Sequence, residues 1–267
     1  MAKETRPNPL KLPFWATFLT LMGVCILCAL GTWQLQRLQW KTTLIDSYNA
    51  APHVNTLSPS IADKPYLKAI LRGYFIGDDK GHAQRFLVQP RTNKGKVGAH
   101  VYEPFLMESG KIIFVRLGWI AQENNGLPYT ITFRHPYART LDKRFIETIK
   151  GVTAFPPAPN IFTPENKENT LYYIDLENMA MRIGVQAEDV WPQIFWLAPE
   201  SLQNMQDFTK TDETPPKNLP FYNHIKALPL QPSWKNNHLQ YAFFWFAMAG
   251  TLISIYALRF LRRKTST

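Results

Sequence analysis

The sequence predicts an α+β protein in which two transmembrane helices, one near each end, flank a mostly antiparallel β extracytoplasmic domain with few helices. Three observations predict it: two uncharged apolar runs, basic residues on the outer flank of each run, and short strand-like segments between them. The implied division is a cytoplasmic tail over 1–13, a first span over 14–33, an extracytoplasmic domain over 34–237, a second span over 238–258 and a second tail over 259–267.

The first run reads FWATFLTLMGVCILCALGTW from Phe14 to Trp33, and the second reads LQYAFFWFAMAGTLISIYAL from Leu239 to Leu258. Neither contains a charge or a proline. About 20 residues at 1.5 Å rise cross a hydrocarbon core of roughly 30 Å, and a helix satisfies its own backbone there. Phe14, Trp15 and Trp33, and Tyr241, Trp245 and Tyr256, mark the ends of the runs as interfacial aromatics do. Two alternatives stand beside the spans. Ala29-Leu30-Gly31 has the small-x-small form of a signal-peptide cleavage site, although the apolar run exceeds a usual h-region. Buried core helices would also be apolar.

Lys3, Arg6 and Lys11 precede the first run, and Arg259, Arg262, Arg263 and Lys264 follow the second. The positive-inside rule therefore expects both termini in the cytoplasm or a matrix-type compartment. These tails carry a net +6 of the total +10, so the pI near 9.6 mostly records topology and does not point to nucleic acid. Both cysteines, Cys25 and Cys28, fall inside the first run, which leaves the outer domain without disulfides or soft copper ligands. The absence of an Arg/Ser-rich presequence favours a bacterial inner membrane over a mitochondrial one.

Beyond the first span, residues 34–48 continue with helical character, and 53–65 reads as loop. Strand-like runs are expected over 66–76, 86–90, 97–105, 111–119, 145–152, 171–174 and 193–197. In 111–119, Ile113, Val115, Leu117 and Trp119 alternate as on a half-buried strand. Gly77-Asp78-Asp79, Asn93-Lys94-Gly95 and Ser109-Gly110 signal turns, and the spacing favours antiparallel meander pairing. Asp175 stands at an N-cap position before Leu176, Met179, Ala180 and Ile183, with Gly184 closing that helix. Residues 209–220 read as a polar, proline-rich loop.

No GxSxG, P-loop, GxGxxG or HExxH word occurs, which disfavours hydrolases, nucleotide enzymes and zinc proteases. His53, His82, His100 and His135 stand isolated and read as surface or structural; His224 lies in a loop just before the second span. His238 differs, because it opens the second span, where His238, Tyr241, Ala242, Trp245 and Ala249 share a helix face. That face offers an imidazole, aromatic surface, and small residues that a flat macrocycle could approach; imidazole is a standard axial ligand of haem iron. Interfacial anchoring of the same residues is the plainer alternative. At the outer end of the first span Trp33, Arg37 and Trp40 share a face. Arg37 could pair with a propionate and an indole could pack on the ring, or Arg37 and Lys41 could meet lipid headgroups.

Several words of this chain resemble the Surfeit locus protein 1 family, the assembly factors of cytochrome c oxidase and related haem–copper oxidases. Gly31-Thr32-Trp33-Gln34-Leu35-Gln36-Arg37-Leu38-Gln39-Trp40-Lys41 is similar to its N-terminal signature, and Asn236-Asn237-His238-Leu239-Gln240-Tyr241-Ala242 with Trp245 to its C-terminal one. Gly73-Tyr74-Phe75, Ile113-Phe114-Val115-Arg116-Leu117-Gly118-Trp119 and Tyr173-Ile174-Asp175 resemble middle motifs. The chain departs at Leu117, where the family usually has the arginine of an Arg-Gly-Trp run; here Arg116 stands one place earlier. The resemblance implies a non-enzymatic role, assisting haem a delivery to oxidase subunit I, possession of His238 as the iron (metal) ligand, and contact with haem a synthase. Trp33, Arg37, Tyr241 and Trp245 complete the expected cofactor-binding set. A protein-only scaffold that stabilises an assembly intermediate is the alternative function.

Overall fold

The computed structural model describes residues 13–77, 84–122, 147–167, 170–211, 224–231 and 236–260. The expectations for His82, His135, the Asp78-Asp79 turn, residues 145 and 146, residues 212–220 and the basic residues of the tails other than Arg259 lie outside these. The chain divides into two compact units, Met1–Asp46 with Ser233–Thr267, and Ser47–Pro232.

The first unit holds two long helices, α1 (Phe14–Asn49, whose last three residues belong to the second unit) and a C-terminal helix (His238–Phe260). As expected, helix continues through 34–48. Both helices are long and apolar enough to cross a bilayer, and only 6% and 11% of their most apolar windows are buried. A core helix would have buried that surface, so the apolar faces are left for lipid, and we read the chain as a membrane protein.

The second unit is a β domain. Its strands are β1 (His53–Val54), β2 (Tyr66–Phe75), β3 (Phe86–Asn93), β4 (Lys96–Met107), β5 (Ile112–Ala121), β6 (Glu147–Ala154) and β7 (Val190–Leu197). Two short helices follow β6 and β7: α2 (Leu176–Arg182) and α3 (Pro199–Thr211). The C-terminal helix is accordingly α4. The strand order is β1-β2-β6-β7-β5-β4-β3, with β2 pairing β4 a second time through Gly73↔Met107, Tyr74↔Leu106 and Phe75↔Phe105. That extra pairing closes β2, β6, β7, β5 and β4 into a five-stranded barrel. Closure leaves only β1 and β3, outside the ring, as end strands among the described residues. Pairing is antiparallel except for β1–β2 and β5–β7. The expected meander is real over β3–β4–β5, while β2, β6 and β7 join by long-range pairs.

One face of all five strands forms the larger core. Leu67, Leu71 and Phe75 of β2, Val101 and Phe105 of β4, Ile113, Val115 and Leu117 of β5, and Phe195 of β7 meet there with Leu202 and Met205 of α3. The opposite face of β3–β7 forms a second core with Leu171, Ile174 and Met179. Each large side chain buried in this way contributes about 1.5–3 kcal/mol. Strand β5 thus runs between two cores and is buried on both faces, not half-buried. A bulge also breaks its alternation. Val101 pairs with Gly118 but Tyr102 pairs with Arg116, so Leu117 is the extra residue. Trp119 therefore lies on the opposite face from Ile113, Val115 and Leu117, beside His100.

Local chemistry explains the remaining elements. Lys94 and Gly95, at φ 48 and 80, make the two-residue turn between β3 and β4. The Asp175 carboxylate accepts from the Asn178 amide at 3.0 Å and caps α2. At the other end Gly184, at φ 74, lets Val185 N–H reach the Ala180 carbonyl and Gly184 N–H reach that of Met181, which is the Schellman closure. The expected strand over 171–174 is not formed. Leu171 makes one bridge to Val88, while the Asn166 side chain accepts from the amides of Tyr172 (2.7 Å) and Tyr173 (3.3 Å). A side chain has taken the place of a partner strand.

Candidate functional site

The helix pair is built on two seams with a seven-residue period. On α4 the less exposed positions are His238, Ala242, Trp245, Ala249, Leu252 and Tyr256, and on α1 Thr17, Thr20, Val24, Leu27, Gly31, Gln34 and Leu38 recur at the same spacing. Alternating steps of three and four residues keep one stripe facing a partner along the whole length. The contacts show an antiparallel pair. The Thr17 hydroxyl meets the Tyr256 hydroxyl at 2.5 Å, Gly23 faces Leu252, Gly31 faces Phe246, and the ring of His238 meets Gln34. Gly31 has no room for a side chain, since a Cβ there would lie 2.6 Å from the Phe246 ring. Ala242 and Ala249, 1% and 4% exposed, fill the seam between the ring-bearing positions.

His238 is the first residue of α4 and half-buried, and its Nδ1 lies 2.7 Å from Gln34 Oε1. With the amide oxygen accepting, Nδ1 carries the proton and Nε2 keeps its lone pair. This is how a second residue orients a ligating histidine. Gln34 belongs to the motif singled out in the sequence but was not among the expected site residues. The seam spacing that places it opposite His238 was legible there.

The other expected residues divide. Trp245 lies on the seam with His238. Tyr241 is 54% exposed, one position off the seam, and Trp33 is 51% exposed. Arg37 is exposed and lies over Trp40 of its own helix, 4.5 Å from the ring centroid. The hydrogen-bond partner of His238 is Gln34, and among the described residues no hydrogen bond or ring contact joins His238 to Trp33 or Arg37. Asp46 is the only carboxylate among the described residues of this unit, against Arg37, Lys41 and Arg259, so the potential favours an anionic group.

An oriented imidazole, with exposed aromatics and an exposed guanidinium nearby on the two helices, would suit a haem at the His238 end of the pair. The small residues do not fit the room expected of them, because Ala242 and Ala249 are spent on packing α4 against α1. A macrocycle has no space between the helices. Among the described residues no group of three or more His, Cys, Asp or Glu side chains forms a separate metal centre.

Comparison with known proteins agrees with these motifs. A family model described as the SURF1 family matches residues 21–250. A SURF1-like protein of Rickettsia bellii is 28% identical over 256 residues, covering 92% of this chain and 90% of the relative. Surfeit locus protein 1 of Mus musculus is 24% identical over 258 residues, 88% of this chain and 72% of the relative. Cytochrome oxidase assembly protein SHY1 of Saccharomyces cerevisiae is 34% identical over 102 residues, 35% of this chain and 25% of the relative.

Proposed function

The chain belongs to the SURF1 family, and on that premise we propose that it is a non-enzymatic assembly factor of cytochrome c oxidase that assists delivery of haem a to subunit I. The observation that carries the haem reading is the Gln34–His238 hydrogen bond, which leaves Nε2 free to bind iron. In this reading His238 would hold the haem iron and Gln34 would orient its ring. Tyr241 and Trp33 offer exposed ring surface, Trp245 backs the imidazole along the seam, and Arg37 meets a propionate by leaving Trp40. Haem a would supply an iron that takes imidazole and a Soret chromophore that reports it. A handover site must also release its cargo, and one protein ligand at the outer end of two helices suits that better than an enclosed pocket.

The basic tails support placing both termini in the cytoplasm and the β domain in the periplasm of a bacterial inner membrane, or correspondingly in a mitochondrial inner membrane. Subunit I and haem a synthase are the partners this role requires. The filled seam favours a second reading, in which the protein only scaffolds an oxidase intermediate. Purification in detergent from cells making haem a separates them. A Soret band that His238→Ala abolishes supports delivery, whereas subunit I recovered with wild type and no haem in either protein supports the scaffold.

A further inference from the structure

The outer face of the barrel carries positive charge that no described residue neutralises. One row of register partners crosses five strands: Lys68 on β2, Val152 on β6, Trp196 on β7, Arg116 on β5 and Tyr102 on β4. The row on one side, Tyr66, Ala154, Ile194 and Phe114, belongs to the second core and its border. On the other side His100 pairs with Trp119, whose indole N–H donates to the Arg91 carbonyl at 2.8 Å. Arg116, half-buried, lies 4.7 Å from the Trp196 ring centroid. It makes no hydrogen bond to a described residue, and the ion pairs found, Arg72–Glu108, Arg85–Glu103 and Lys111–Asp189, lie elsewhere.

Three further facts concern the same place. The Trp196 indole N–H is buried and has no acceptor among the described residues. Arg91 donates to the Pro90 and Tyr172 carbonyls, which fixes its guanidinium without cancelling its charge. His100 feels both arginines, which together with burial hold it neutral, with its pKa pushed down to about 3. Two cations, a neutral imidazole and an orphan N–H therefore converge with no anion among the described residues, an arrangement that burial makes costly. Beside them runs an aromatic stripe: Trp196 to Tyr66 at 6.1 Å, and Tyr66 to Tyr48 at 5.4 Å between centroids. Leu117 faces the inner core and Arg116 the outer face.

We propose that the face formed by Arg116, Arg91, His100 and Trp196 binds a ligand that joins a carboxylate to an aromatic or apolar body. The guanidinium fork takes the carboxylate and the Trp196–Tyr66 stripe takes the body. The site is independent of His238. It is tested on the full chain in detergent, at neutral pH and constant ionic strength, by calorimetry and tryptophan fluorescence with phenylacetate, acetate and inorganic phosphate. Phenylacetate should bind saturably at one per chain and more tightly than either small anion. Arg116→Gln should weaken it about tenfold or more, Arg116→Lys less, and Lys94→Gln not at all. If Arg116→Gln does not fold, Arg91→Gln and Arg116→Lys carry the test. Absence of saturable binding to wild type, phosphate binding as tightly as phenylacetate, or equal affinity in the arginine variants and Lys94→Gln would overturn the proposal.

Discussion

The helix pair and the barrel solve the same problem, holding the chain together, with opposite means. In the barrel, five strands and two caps bury Phe75, Phe105, Phe114, Trp119 and Phe195 almost completely. In the pair, the most buried side chains are two alanines, and large apolar residues such as Phe243, Ile253 and Ile255 point outward. Lipid is as apolar as leucine, so the pair gains little by burying large residues and relies on close approach of backbones instead. The difference teaches where function can be placed. The barrel holds its few buried polar groups, such as Glu147 and the Arg85–Glu103 pair, inside tight packing, whereas a thin seam carries a histidine at its end with one hydrogen bond.

The sharpest way to break this contrast is to damage each unit alone. Phe195→Ala should destabilise the barrel by about 3–5 kcal/mol, since a filled core relaxes only partly around a cavity. Near-UV circular dichroism should show the lost melting transition, while α1 and α4 keep their far-UV helical signal. Gly31→Leu should have the converse effect, costing about 1–3 kcal/mol of helix pairing by driving a side chain into Phe246. Its readout is thiol labelling in detergent. Cys25, exposed, should react faster than the half-buried Cys28 in wild type, and the two rates should converge in the variant while the barrel's melting is unchanged.

A third test concerns the charges that the barrel buries and the pair does not. The neutral His100 ring, with its pKa pushed down to about 3 from 6.5 by burial and by Arg116 and Arg91, contributes stability that is complete above pH 6.5 and lost as pH falls toward 3. Glu147 acts the other way. Burial, and then the Glu103 carboxylate, push it up to about 8 from 4.5, so its contribution is complete below pH 4.5 and lost as pH rises toward 8. Between 4.5 and 6.5 the slopes oppose each other. Barrel stability should be nearly flat there and fall on both sides, by up to about 1.4 kcal/mol per pH unit for each group. Denaturant titrations across pH check this: His100→Gln should flatten the acid limb and Glu147→Gln the alkaline one. The smallest effect is expected at the α2 cap, where Asp175→Ala should cost about 1 kcal/mol of barrel stability.

The two units were also unequally legible in the sequence. The two apolar helices, the helical continuation to Asn49, the Asp175 cap and the Gly184 closure all rest on short-range chemistry, and each forms as the residues suggest. The three-and-four spacing from His238 to Tyr256 was equally readable, and it would have found Gln34 opposite His238 and set Tyr241 off the seam. Barrel closure was not readable, because Gly73 meeting Met107 and Ile112 meeting Val190 are pairings between distant strands that no local pattern encodes. The bulge at Leu117 escaped for the same reason: only the partner strand shows which residue is extra. The stretch 171–174 has the composition of a strand, but Asn166 satisfies the amides at its centre.

The most direct test of the haem site is chemical rescue at His238. His238→Gly, purified from cells making haem a, should lose the Soret band of wild type and regain it when imidazole is added, and Gln34→Leu should weaken the band without abolishing it. A band untouched by His238→Gly, or one lost and not restored by imidazole, would contradict the assignment of His238 as the iron ligand.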